Sequence, residues 1–313
     1  MVYKNLIFTL SIIVVVAISI TFPSLFLAIG DFKLTELIVP LLMLIMFGMG
    51  TSVGIEDFTR VVKMPKQVGI GLICQFTIMP ILGVTLAKLS GLPPEVAVGI
   101  ILVGCSPGGL ASNVMAYIAG ANLALSLTLT SFSTILAPIL TPLLMLLLAG
   151  EAIDIDAIGM FWSITKIVLL PVAAGLLFNH FLHGKFPLID RLMPMVSMVG
   201  IVVIIGVITA AGRDTLVTLG LLVILLMALQ NVLGLGLGYT AAKLLKLDEA
   251  SARAIAFEVG MQNSGLASGI AVQMGKVATM GIAPAVFGPV MNVNGSILAS
   301  IWKRSTPEAS SKD

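Results

Sequence analysis

Glu258-Val259-Gly260-Met261-Gln262-Asn263-Ser264-Gly265-Leu266-Ala267-Ser268 sets a carboxylate and a run of amides and hydroxyls inside an otherwise apolar chain. A charged carboxylate at bilayer depth costs about 3 kcal/mol or more, so it persists there only by facing a cavity or a cation. Gly260 and Gly265 bracket Met261, Gln262, Asn263 and Ser264. Such bracketing is how a membrane helix is interrupted so that backbone carbonyls and side-chain oxygens face an ion. The stretch reads as a broken membrane helix holding a cation.

Working outward, the composition supplies the solvent. Of 313 residues 58% are hydrophobic and 10% charged, against about 25% charged in a soluble domain, which makes this a polytopic membrane protein. The formal charge of +2 is small and scattered between apolar runs, so nothing points to nucleic acid. Cys74 and Cys105 both fall within apolar runs and read as buried small hydrophobes, not as a disulfide or a metal site.

Apolar runs place helices at about 5–22, 34–54, 66–89, 122–149, 157–180, 190–211, 215–245 and 279–302, with the opening motif on the ninth. Lys4 ahead of the first run could make it a signal peptide, but without a small-x-small cleavage site it reads as a retained helix. The fourth segment, Pro94 to Gly120, is interrupted by Ser106-Pro107-Gly108-Gly109. Proline removes a donor and paired glycines relax the backbone, so it splits into half-helices at about 95–105 and 109–119. Charged loops carry Glu56, Asp57, Arg60, Lys63 and Lys66, then Glu151, Asp154 and Asp156. His180, His183, Lys185 and Pro187 separate the sixth and seventh helices, and the end of the chain after Trp302 is polar.

Ten spans put both termini on one side. Lys4, Arg60, Lys63, Lys66, Lys185, Arg191, Lys243, Lys246, Arg253, Lys303, Arg304 and Lys312 lie on the terminal side, against Lys33, Lys88, Arg213 and Lys276 opposite. By the positive-inside rule the termini are cytoplasmic. The short loops and the absence of a targeting stretch suggest a prokaryotic inner (plasma) membrane.

An internal repeat sets the architecture. Gly109-Leu110-Ala111-Ser112 recurs as Gly265-Leu266-Ala267-Ser268, and Val103-Gly104 as Val259-Gly260. One residue out of step, Gln75 matches Gln230 and Ala87-Lys88-Leu89 matches Ala242-Lys243-Leu244. Five helices per copy turn the second copy upside down, so the expected fold is all-α, with two inverted five-helix repeats whose broken helices cross at the midplane. Short Gly-Ala-Ser-Leu words also recur through close helix packing alone, but the matched glutamines and break positions favour a true repeat.

Glu258 stands where the first copy has Leu102, so only one half supplies charge, an asymmetry suited to a cation. Glu258, the Met261 carbonyl, Gln262 and Gln75 form one set of hard oxygens. Ser112, Asn113, Ser126, Thr130 and again Glu258 form a second. Ser126 and Thr130 lie four apart on one helix face, where bonding back to their own helix is the alternative. For Gln75 and Asn113 the alternative is hydrogen bonding between helices. Lys166, inside the sixth helix, is open between snorkelling, pairing and facing a cavity. No His or Cys cluster suggests a transition metal, and no intramembrane nucleophile with a base suggests an enzyme.

The two breaks, Gly104-Cys105-Ser106-Pro107-Gly108-Gly109-Leu110-Ala111-Ser112-Asn113-Val114-Met115 and Glu258 to Ala267, resemble the signatures of the bile acid:sodium symporter family. Met46-Phe47-Gly48-Met49-Gly50 and Gly295-Ser296 extend the resemblance over nearly the whole chain. It implies a panel of helices one, two, six and seven (1–65 and 151–213), a core of helices three to five and eight to ten (66–150 and 214–303), and a cytoplasmic tail at 304–313. It also implies two sodium sites: Ser112, Asn113, Ser126, Thr130 and Glu258 in one, and Gln75, Glu258, Val259, Met261 and Gln262 in the other. Substrate would lie between core and panel, against Asn263, Leu110, Gly109, Met291, Asn292 and Asn294.

Leu110 stands where relatives often carry a polar residue, and Met291 where bile-acid-handling relatives carry histidine. Both remove hydrogen-bonding capacity, leaving the substrate open between a bile acid and a smaller organic acid such as pantoate or a keto acid. The half-helix after Gly108 offers free N–H groups and a positive dipole end, which favour an anion. The expected activity is sodium-coupled symport of an organic anion by alternating access, with the bilayer as surroundings and no obligate protein partner. A cation/proton antiporter using Glu258 is the alternative.

Overall fold

The computed structural model describes the backbone of residues 2–54, 59–60, 62–182, 185 and 187–305, and the side chains of 11–54, 59–60, 62–182, 185, 192–193 and 195–304. Glu56 and Asp57 of the first charged loop, His183, and the tail from 306, including Lys312, lie outside the described residues, as do the side chains of Lys4 and Arg191.

The helices are α1 (Val2–Thr21), α2 (Ile38–Gly50), α3 (Pro65–Leu89), α4 (Pro94–Cys105), α5 (Leu110–Ile118), α6 (Leu123–Ala149), α7 (Ala157–Leu182), α8 (Pro187–Ala211), α9 (Arg213–Leu244), α10 (Glu249–Gly260), α11 (Ser264–Gln273) and α12 (Ile282–Ser305). The only sheet among the described residues is a short hairpin, Ala28–Ile29 against Phe32–Lys33. Among the described residues five helices are long and apolar enough to cross a bilayer: Pro65–Leu89, Leu123–Ala149, Ala157–Leu182, Arg213–Leu244 and Ile282–Arg304. Shorter apolar helices accompany them at Ser11–Thr21, Leu34–Gly50, Pro94–Cys105 and Met195–Ala211. The chain is an all-α membrane protein.

Local chemistry sets the boundaries. Pro65 and Pro94 open α3 and α4, at positions where the missing N–H would have had no helical partner and the fixed φ suits the first turn. Asn122 caps α6 by accepting from Leu125 N at 3.0 Å, Asp156 caps α7 from Gly159 N at 2.8 Å, Asp248 caps α10 from Ser251 N at 2.9 Å, and Asn263 caps α11 from Leu266 N at 3.0 Å. Each satisfies a donor that the first turn leaves without a partner. Helix α4 stops at Cys105 because Ser106 precedes a proline and turns extended, at φ −78° and ψ 155°.

The sequence boundaries shift at several helix ends: the seventh helix, expected from 190, begins at Pro187, and the first, expected from 5, at Val2. The second helix, expected over 34–54, opens as a 3-10 turn, Leu34–Leu37, and its α-helical part ends at Gly50. The last helix begins at Ile282, not 279. Within α7, residues Thr165–Leu169 widen into a π turn, just ahead of Pro171, whose ring and missing N–H disturb the carbonyl one turn earlier. Lys166 sits on that turn, exposed.

Helix α2 packs against α7 and α8, and α1 against α8, while α9 packs against α3, α10 and α12. Gly50 and Gly175 bring α2 and α7 together: a Cβ on Gly50 would lie 3.0 Å from the Gly175 Cα, and one on Gly175 would lie 2.8 Å from the Thr51 nitrogen. Small residues are what allow such close approach inside a membrane, where apolar burial offers no gain over lipid.

Candidate functional site

Both interruptions fall between half-helices, at 106–109 between α4 and α5 and at 261–263 between α10 and α11. They lie side by side as an antiparallel bridge between Gly108 and Gln262. The Gly109 N–H donates to the Met261 carbonyl at 2.9 Å, and the Asn263 N–H donates to the Pro107 carbonyl at 2.8 Å. Breaking a helix strands polar backbone groups in an apolar interior, and here each break satisfies those of the other.

Glu258, near the end of α10, is wholly buried. Its Oε2 accepts from the hydroxyls of Ser112 on α5 and Thr130 on α6, both at 2.8 Å, and its Oε1 accepts from Ser133 at 3.3 Å. Asn113 Oδ1 accepts from Ser126 at 2.7 Å and from Thr130 at 3.3 Å. Ser112, Asn113, Ser126, Thr130 and Glu258 thus form one hydrogen-bonded cluster drawn from three helices. Thr130 also bonds back to the Ser126 carbonyl at 3.1 Å, so back-bonding and clustering coexist there. No lysine, arginine or histidine among the described residues forms an ion pair with Glu258.

A second group lies beside the break. Gln75 Nε2 donates to Gln262 Oε1 at 2.8 Å and to the Ser106 carbonyl at 3.1 Å, while Gln262 Nε2 donates to the Val259 carbonyl at 2.6 Å. Gln75, Val259, Met261 and Gln262 are all buried. Gln75 Oε1 is buried with no hydrogen-bond partner in the protein. A buried acceptor left in that condition costs about 1–3 kcal/mol, and a carboxylate without a counter-charge costs more. Both deficits would be met by a cation. A hydroxyl that donates to a carboxylate can rotate and offer a lone pair instead, so the cluster does not have to be rebuilt for coordination. Among the described residues no three His, Cys, Asp or Glu come together; one carboxylate among neutral oxygens suits a hard monovalent ion better than a transition metal.

The breaks also floor a cavity of about 710 Å³, walled on the other side by α1, α2 and α8. Gly109, Leu110, Asn263, Met291 and Asn292 all line it. Asn294 does not: it faces a separate groove and donates to Asn231 Oδ1 at 2.9 Å. Two residues apart on a helix is a rotation of about 200°, so Asn292 and Asn294 cannot share one face. The cavity wall is mainly apolar, its polar side chains being Gln262, Asn263, Asn292 and a few serines, and no charged side chain among the described residues reaches it.

Three residues that sequence reasoning left out of the site take part in it. Ser133 continues the face of Ser126 and Thr130 at the next helical spacing, a signal present in the sequence. The Ser106 carbonyl and Asn231, which donates to the Gly260 carbonyl at 2.8 Å, depend on contacts between distant segments.

A helical membrane protein with an unpaired buried carboxylate at paired helix breaks beside an apolar cavity is built as a transporter. Residues 39–219 match the model of the Sodium Bile acid symporter family. The chain is 43% identical over 298 residues to the "Uncharacterized sodium-dependent transporter YocS" of Bacillus subtilis, covering 95% of this chain and 91% of that one. It is 37% identical over 263 residues to the "Probable sodium/metabolite cotransporter BASS1, chloroplastic" of Arabidopsis thaliana, covering 84% and 66%. With BASS2 of Oryza sativa subsp. japonica identity is 36% over 275 residues, covering 86% and 64%. The chain belongs to the sodium bile acid symporter family and is a multi-pass membrane transporter, not an enzyme.

Proposed function

We propose that the protein carries an organic anion across the membrane together with sodium, by alternating access. Sodium is here a substrate, held at two places: by Ser112, Asn113, Ser126, Thr130 and Glu258, and by Gln75, Glu258, Val259, Met261 and Gln262. In this reading the spans form two inverted five-helix repeats whose breaks cross at mid-membrane. A panel (1–65 and 151–213) moves against a core (66–150 and 214–303), with both termini and the 304–313 tail in the cytoplasm of a cell with this protein in its plasma membrane.

The observation that carries the proposal is the Glu258 carboxylate, wholly buried and accepting from hydroxyls of α5 and α6 with no cationic side chain paired to it. A cation bound there joins the two breaks, and the Gln75 Oε1 beside them offers a further ligand. The anion then sits in the cavity that Asn263 and Gly109 line. The start of α5, half-buried at the cavity wall, contributes the positive end of its dipole, which suits a monoanion with an extended apolar body in a cavity that no charged side chain among the described residues reaches. Each net positive charge carried inward across 100 mV contributes about 2.3 kcal/mol, enough to support accumulation.

The test is uptake of a panel of amphipathic and small organic acids into proteoliposomes, in sodium or in choline, with parent and Glu258→Gln. Uptake of at least one acid in sodium, lost in choline and in the variant, is the expected result. Equal uptake in choline sinks the coupling. Sodium flux without any acid, driven by a pH gradient and abolished in Glu258→Gln, establishes proton antiport in its place.

A further inference from the structure

Helices α9 and α12 leave between them an apolar groove of about 360 Å³, which shares only Ile297 with the lining of the large cavity. Val232, Gly236 and Tyr239 form one wall and Ile297, Ile301 and Trp302 the other. Val232, Ile297 and Ile301 are more than half exposed, and a Cβ added to Gly236 would meet nothing within 4 Å, so the groove is open along its length. At one end the rings of Tyr239 and Trp302 lie 5.4 Å apart, the aromatic pairing expected at the headgroup level of a bilayer.

Beyond those rings the charge changes. Arg253 lies over the Trp302 ring, 5.5 Å from its centroid. Lys243 lies one turn beyond Tyr239 on α9, Lys246 is exposed just past that helix, and Lys303 and Arg304 follow Trp302, also exposed. Among the described residues the carboxylates at this end are Asp248 and Glu249. Asp248 caps α10. Glu249 is met by Lys243 at 3.2 Å, Arg253 at 2.9 Å and the Tyr239 hydroxyl at 2.9 Å. Positive charge is therefore left over at the basic mouth. At the opposite face of the molecule, by contrast, Glu95 is met by Lys276 and Thr279.

An apolar channel between two membrane helices, closed by an interfacial aromatic pair and then by surplus cations, fits one kind of molecule from end to end. We propose that this groove binds an anionic phospholipid, an acyl chain lying along Val232, Gly236 and Ile301 and the phosphate held by Lys246, Lys303 and Arg304. A zwitterionic lipid satisfies the groove but not its mouth.

The test is native mass spectrometry of the full chain in detergent with equimolar phosphatidylglycerol and phosphatidylcholine. Retention should favour phosphatidylglycerol by about tenfold or more, as expected when each cation near the surface contributes about fivefold. Lys246→Gln/Lys303→Gln/Arg304→Gln should abolish the preference while leaving weak retention of both lipids. Gly236→Leu, which fills the groove, should reduce retention of both, and Val232→Trp blocks the same channel should the leucine variant not fold. Equal retention of the two lipids by the parent overturns the proposal, as does undiminished phosphatidylglycerol retention in both groove-filling variants. A delipidated dimer that Gly236→Leu converts to a monomer overturns it too, by assigning the groove to a second copy of the chain.

Discussion

Gly108→Ala tests the site through a single methyl group. Gly108 is not among the glycines with positive φ, so alanine is tolerated by the backbone and the effect is purely one of space. The added Cβ would collide with Glu258 Oε1, lying 2.5 Å from the carboxyl carbon and 3.2 Å from Oε2. The carboxylate has to shift, and with it the 3.3 Å bond from Ser133 to the same Oε1 and the alignment of the 2.8 Å bonds from Ser112 and Thr130 to Oε2. Overpacking costs about 1–3 kcal/mol, and a hydrogen bond to a charged group about 1.5–3 kcal/mol, for a loss of about 2.5–6 kcal/mol in stability. The assay is the thermal midpoint of the purified protein in sodium and in choline. Sodium at 100 times its dissociation constant should stabilise the parent by about 2.7 kcal/mol, and this increment should disappear in the variant along with the lower midpoint. Gly69→Ala is the reference, since its Cβ meets nothing within 4 Å and replacing a helical glycine gains about 0.5–1 kcal/mol. If Gly108→Ala keeps the whole sodium increment and loses less than about 1 kcal/mol, the carboxylate is not held where the argument needs it.

Ser133→Ala removes the 3.3 Å bond to Glu258 Oε1 and should weaken sodium binding by about tenfold in a sodium titration, the low end for a hydrogen bond to a charged group because the bond is long. Arg253→Lys should lower stability by about 3 kcal/mol or more, because the guanidinium reaches the Ala119 carbonyl at 3.1 Å, the Trp302 carbonyl at 3.2 Å and Glu249 at 2.9 Å, a spread a single ammonium cannot cover; thermal unfolding measures it. A double-mutant cycle on Glu95 and Lys276, whose side chains are 38% and 29% exposed, should give a coupling of only about 0.2–1 kcal/mol, shrinking as salt is raised.

Much of the site is legible in the sequence because its positions are marked by residues that have no business in lipid. Pro107, Gly108, Gly109 and Gly260 mark where the helices stop, and the structure stops them there. The cluster of Ser112, Asn113, Ser126, Thr130 and Glu258 could be assembled from polarity and the family resemblance. What the pattern missed depends on rotation and on contacts between distant segments. Asn294 carries the same amide as Asn292, but the helix turns it away from the cavity. The π turn at Thr165–Leu169 reflects how the carbonyls ahead of Pro171 relax, which a hydrophobic pattern does not encode. The pairing of Gly109 with Met261 and of Asn263 with Pro107 joins residues more than 150 positions apart, and local spacing offers no view of it.

The two halves of the sequence repeat differ where the chemistry requires it. Leu102 and Glu258 occupy matching positions and both are wholly buried, yet only one carries charge. Gln75 and Gln230 match as well, but Gln75 reaches across to Gln262 at 2.8 Å, whereas Gln230 reaches only the Ile100 carbonyl, at 3.4 Å. Beside Gln230 it is Asn231 that holds the break of its own half, through the Gly260 carbonyl. The charge thus comes from α10 and its neutral hydroxyl partners from α5 and α6, so at the proposed sodium sites neither half holds a complete set of ligands. A cation that draws on both halves stabilises their contact and is weakened when they separate. In the proposed function that linkage is reciprocal: whatever shifts one break against the other, the proposed anion docking on Gly109 and Asn263 included, must change the affinity for the ion by the same factor as the ion changes the affinity for the anion.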